Sequence, residues 1–154
     1  MNKLWAPWRI SYITGKKQKG CIFCKAVNSK VNKDLVIAKS QFSIAMLNKY
    51  PYNNGHIMIS PKRHVSQIEK LTKEEIADIF SLLNKCKNKL DKKLHPHGYN
   101  IGINIGRDAG AGITGHLHVH LVPRYRGDVN FMPSVSGVKV ISQSLEDLAK
   151  LMED

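Results

Sequence analysis

The chain has 154 residues, 42% of them hydrophobic, and its 24 Lys and Arg against 12 Asp and Glu leave a net charge of +12. That size suits one compact domain with one core, and no apolar run approaches the roughly 20 residues of a membrane span. Three cysteines exclude a disulfide framework.

Residues 1–12, interrupted by Pro7 and charged at Arg9, lack the apolar stretch and cleavage site of a signal peptide, so a cytoplasmic protein is expected. Residues 14–33 are polar and lysine-rich around Cys21 and Cys24 and read as loop. Apolar runs of strand length follow at 35–38, 42–47 and 56–60, the last two separated by the turn chemistry of residues 48–55. Thr72 and Glu75 form a capping box that opens a long helix, with Ile76, Ile79, Leu83, Cys86 and Leu90 as one buried face. Cys86 on that stripe reads as a small core residue. His95, Pro96, His97 and Gly98 end the helix in a turn. A strand is expected over 99–105, a Gly-rich loop over 106–115, another strand over 116–122, and a short C-terminal helix from Ser144. Strands, a long helix, more strands and a final helix make an α+β fold with a mostly antiparallel sheet.

The sharpest feature is His116-Leu-His-Val-His120. In a strand, alternate side chains share a face, so His116, His118 and His120 lie together about 6–7 Å apart, and Leu117, Val119 and Leu121 face the core. Three imidazoles suit a core poorly, because each needs a partner once buried. They suit a phosphate well: neutral imidazole is a nucleophile near pH 7, and its protonated form binds anions. A satisfied polar strand and a purely metal-binding strand are the competing readings. The Cys21–Cys24 pair allows a zinc site or two free surface cysteines. The charge would welcome an anionic partner, but the lysines are scattered, as on an ordinary solvated surface.

Residues 116–122 resemble the motif of the histidine-triad (HIT) family, in which three histidines alternate with apolar residues. Residues 55–64, from Gly55 and His56 through Pro61 and Lys62 to His64, resemble the family's second block. The resemblance covers nearly the whole chain and implies a single HIT domain over 1–154, with an N-terminal extension (1–33) carrying the Cys pair and a C-terminal extension (130–154). It further implies that His118 attacks the α-phosphorus of a nucleotide and forms a nucleotidyl-imidazole, which splits one difficult displacement into two easier ones. His120 would hold a non-bridging phosphate oxygen, His56 would serve the leaving group, and His116 would complete the triad. Asn48 matches a position near the ribose and Asn104 one near the phosphate chain, and amides of residues 110–114 would add anion contacts. Where many family members carry Gln, this chain has Gly112, with Thr114 as a stand-in.

Family members with the same C-x-x-C bind zinc through four residues that here are Cys21, Cys24, His64 and His116, a closed and therefore structural site. Leu4, Trp5, Pro7, Trp8 and Arg9, with Asn130, Phe131 and residues 136–142, are similar to a bacterial branch that includes diadenosine tetraphosphate phosphorylases. A dinucleoside polyphosphate, accompanied by Mg²⁺, becomes the expected substrate, and a homodimer or higher homo-oligomer the expected assembly. The alternatives are a nucleotide-binding signalling module with little turnover and a nucleoside phosphoramidate hydrolase. Nucleic acid is not expected as a partner, because the basic residues form no stripe interleaved with aromatics.

Overall fold

The computed structural model describes residues 20–28, 35–128 and 144–152. The motifs at residues 4–9 and 130–142, and most of the two extensions, lie outside them. The elements in order are α1 (Ile22–Asn28), β1 (Val36–Lys39), β2 (Ser43–Leu47), β3 (Ile57–Pro61), a 3₁₀ turn (Ile68–Lys70), α2 (Lys73–Leu94), β4 (Gly98–Ile103), β5 (Val119–Arg124) and α3 (Leu145–Leu151). The strands form one antiparallel sheet in the order β1-β2-β3-β5-β4. The α+β class and the long helix agree with the sequence pattern.

Residue parity organises the sheet. Ala45, Leu47, Ile57, Ile59, Val119 and Leu121 point to one face and form the main core with Ile79, Leu82, Leu83, Cys86 and Leu90 of α2 and Leu148 of α3. Ile44, Met46 and Met58 point to the other face, where Phe23 and Ala26 of α1 cover them. Alternation in strands and a four-residue step in helices produce both contacts. The even-numbered histidines of the triad therefore occupy the α1 face. Cys86, 3% exposed, belongs to the core as expected, and burial pushes its thiol up to about 11.

The capping box forms as read: Thr72 Oγ1 accepts from the Glu75 amide, and Glu75 Oε2 accepts from the Thr72 amide. Glu75 also takes a two-pronged bond from Arg63. Ser144 caps α3 through the Asp147 amide.

Three expectations need correction. The segment around the cysteines is not all loop, because residues 22–28 are helical. Its abundant lysines concealed Ile22, Phe23, Ala26 and Val27, which recur at helical spacing and pack on the sheet. Ile76 is 40% exposed, and Leu82 occupies the buried stripe instead. The hydrogen-bonded strand begins at Val119 rather than His116 and continues through Pro123 to Arg124. Pro123 is tolerated in this inner strand because the ladder with β3 ends at Leu121.

Candidate functional site

The turn between β2 and β3 delivers the first histidine. Gly55 has φ +80°, and a Cβ there would lie 2.9 Å from Leu94 Cδ1 and 3.0 Å from Leu90 Cδ2. Only glycine meets both the conformation and the packing. His56 follows, 1% exposed. Its Nδ1 accepts the Tyr52 backbone N–H at 3.0 Å and lies 3.3 Å from Asn48 Nδ2. A backbone N–H can only donate, so the ring proton of neutral His56 sits on Nε2. That N–H donates to His120 Nδ1 at 2.9 Å. Neutral His120 in turn carries its proton on Nε2.

His118 is fixed from the other side. Its Nδ1–H donates to the His116 carbonyl at 2.9 Å. The Nε2 lone pair is left without a partner among the described residues. The rings of His118 and His120 are 4.8 Å apart and nearly perpendicular, closer than strand spacing alone predicts because the side chains lean together. Burial depresses the basicity of both, His120 to about 4, with the neighbouring His118 adding to the effect. Burial thus favours the neutral form of both rings, and in that form His118 presents an unprotonated Nε2.

His116 belongs to a different cluster. Its Nε2–H donates to the Pro61 carbonyl at 2.8 Å, with Ser60 Oγ at 3.0 Å. Its Nδ1 lone pair faces Cys21 Sγ at 3.1 Å and Cys24 Sγ at 3.6 Å, while His64 Nδ1 lies 3.2 Å from Cys24 Sγ. The four donor atoms fall within 4.8 Å of one another. Sulfur and nitrogen ligands of one tetrahedral zinc are separated by about 3.5 Å, so this set can hold a metal ion. Phe23, between the two cysteines and wholly buried, contacts the rings of His116 and His118 at 5.1 Å each. Phe23 thus links the Cys/His cluster to the His118 ring.

The remaining expected residues are less converged. Asn104 lies beside Gly110, where an added Cβ would be 3.7 Å from its Nδ2. Gly112 and Thr114 are exposed on the loop. The amides of Gly110 and Ala111 are used within the loop, donating to Arg107 and Gly106 carbonyls. That narrows the expected anion contacts to residues 112–114. His97 is part of a turn as read: its Nδ1 accepts the Arg126 amide.

Sequence reasoning missed Tyr52, Ser60 and Phe23. Ser60 shares the parity of His56 on β3 and was legible in principle. Phe23 was concealed by the loop reading. Tyr52 acts partly through its backbone, which no side-chain pattern reports.

The HIT domain family profile matches residues 29–127, leaving the two cysteines outside the matched region. The chain is 37% identical over 161 residues to the AP-4-A phosphorylase of Mycobacterium tuberculosis, covering 99% of this chain and 83% of that protein. It is 34% identical over 104 residues to the adenosine 5'-monophosphoramidase of Schizosaccharomyces pombe, covering 68% and 74%. Its fold is similar to that of a Zn-bound histidine triad family protein from Mycobacterium smegmatis, with a TM-score of 0.67, 25% identity, and 86% and 90% of the two chains covered. The profile match over most of the chain, together with the long alignment to a phosphorylase, establishes that this protein belongs to the HIT domain family.

Proposed function

We propose that the protein cleaves dinucleoside polyphosphates by attack of His118 on the α-phosphorus, through a covalent nucleotidyl-histidine. The carrying observation is the bond from His118 Nδ1–H to the His116 carbonyl, because it holds Nε2 as an aligned lone pair. Nε2 forms a P–N bond as the bond from phosphorus to the bridging oxygen breaks, and that oxygen leaves with the electron pair. From diadenosine tetraphosphate the leaving group is ATP, and AMP remains on the histidine. An oxygen of phosphate or water then attacks the same phosphorus. The P–N electrons return to Nε2, a proton passes to solvent, and ADP or AMP is released. The AP-4-A phosphorylase relationship favours phosphate as the acceptor.

His120 Nε2–H serves as donor to a non-bridging oxygen, where charge develops in the transition state. His56 supports that donor through its own N–H and stands on the leaving-group side. Both ring nitrogens of His116 are engaged elsewhere, so it contributes to the reaction by its carbonyl, as a positioning residue. Asn48 is assigned to the ribose, and Asn104, the amides of Gly112 to Thr114 and the Thr114 hydroxyl to the phosphate chain. Mg²⁺ accompanies the polyphosphate. Cys21, Cys24, His64 and His116 bind zinc, consistent with the donor set and with the Zn-bound relative. When bound, the ion supplies structural tethering of α1 to the triad segment. The chain acts as a single HIT domain with two extensions in the cytoplasm, and a homodimer or larger homo-oligomer is the working assembly.

The test is product analysis from diadenosine tetraphosphate with and without inorganic phosphate, beside adenosine phosphoramidate and a His118→Ala control. ADP with ATP only in the presence of phosphate supports a phosphorylase, and AMP with ATP a hydrolase. Cleavage of the phosphoramidate alone would favour the reading suggested by the monophosphoramidase relative. Binding without turnover on any substrate would leave a signalling module, and full activity of His118→Ala would overturn the mechanism.

A further inference from the structure

The aromatic and imidazole rings at the site form a continuous row. Phe23 contacts His118 at 5.1 Å, His118 contacts His120 at 4.8 Å, and His120 contacts His56 at 5.0 Å. Tyr52 then stacks on His56 at 4.8 Å with an interplanar angle of 27°, and lies 5.8 Å from His120. Burial changes sharply along the row. Phe23 is wholly buried and His56 is 1% exposed, whereas Tyr52 is 49% exposed. One face of its ring is occupied by His56 and much of the rest meets solvent.

Tyr52 is held firmly for so exposed a side chain. Its amide is bonded to His56 Nδ1. The next residue, Asn53, is 4% exposed and donates through Nδ2 to the Pro123 carbonyl and to Asp128. Gly55 closes the turn against α2. An apolar surface left open to water beside a polar site, on a backbone already fixed, is ready to stack a planar ligand without an ordering cost. Its place beyond His56 is also specific. His118 supplies the attacking nitrogen in our reading, so the group departing past His120 and His56 travels towards Tyr52.

We propose that Tyr52 is a stacking platform for the second nucleobase of a dinucleoside polyphosphate, and so sets a preference for substrates bearing a base at both ends. The assignment rests on the reading of the site under Proposed function and adds a specificity residue to it. Stacking tolerates any base, since each has a π face, so the preference is for two bases over one rather than for adenine.

The test is calorimetric titration of the intact protein with two non-hydrolysable ligands, methylene-bridged diadenosine tetraphosphate and methylene-bridged adenosine tetraphosphate. These share one nucleoside and the polyphosphate and differ in the second nucleoside. The wild type is expected to bind the dinucleoside compound about tenfold more tightly. Tyr52→Leu should erase that preference while changing the affinity for adenosine tetraphosphate by less than about twofold, and Tyr52→Phe and Tyr52→Trp should keep it. Equal affinities in the wild type would overturn the proposal, as would failure to bind either compound. So would a Tyr52→Leu protein that keeps the preference, or one that loses both ligands equally, the mark of a ring that merely supports His56. Turnover is read separately: a dinucleoside preference without cleavage would leave the platform standing and remove the catalytic reading, and cleavage without preference would do the reverse.

Discussion

His118 donates its Nδ1 proton to the carbonyl oxygen of His116 at 2.9 Å, so the residue two positions earlier sets the tautomer of the proposed nucleophile. The bond is local and independent of the His116 side chain, which faces the sulfur cluster. Replacing His118 by Ala should lower turnover on the order of 10³-fold or more, because no other described ring offers an unpaired nitrogen at that place. Mass spectrometry after a brief reaction should find one nucleotide on the wild type and none on the variant.

His56→Ala removes the donor to His120 Nδ1 and the acceptor for the Tyr52 amide. Turnover should fall roughly 10²-fold. The loss should fall mainly on kcat rather than KM, as steady-state kinetics would reveal.

Chelation, or Cys24→Ser, should affect more than the metal content. With Cys21, Cys24, His64 and His116 drawn together, loss of the ion frees α1, and Phe23 with it, from the triad segment. The melting temperature should drop on the order of 10 °C. Elemental analysis should find one equivalent of zinc in the wild type and much less in the variant.

Stability should depend on pH through His120. Burial, aided by the nearby His118, lowers its folded-state value to about 4, against an unfolded value of about 6.5. The unfolded chain therefore takes up this proton first as the pH falls. The stabilisation is fully present above about pH 6.5 and declines towards about pH 4. Urea midpoints measured across that window should fall more steeply for the wild type than for His120→Gln.

Gly55→Ala should cost about 1–3 kcal/mol, since it forces a side chain into a left-handed backbone against Leu90 and Leu94. Denaturant melts would register the loss, and activity should fall as well, because His56 is the next residue.

The sequence by itself determined the alternation of the triad, the capping box and the long helix, because each depends on local periodicity or on side chains three or four residues apart. It also singled out, through resemblance, the four residues that the fold draws together as a set able to hold a metal ion. Tertiary structure alone decided the rest. Whether Cys21 meets His116, 95 residues away, depends on how α1 docks on the sheet, and the lysines around that helix obscured its apolar face. The division of labour among the histidines depends on single protons: a backbone amide assigns one tautomer at His56, and backbone carbonyls assign those at His116 and His118. Backbone groups are identical at every residue, so no side-chain pattern could announce which of them the folded chain would bring to each ring.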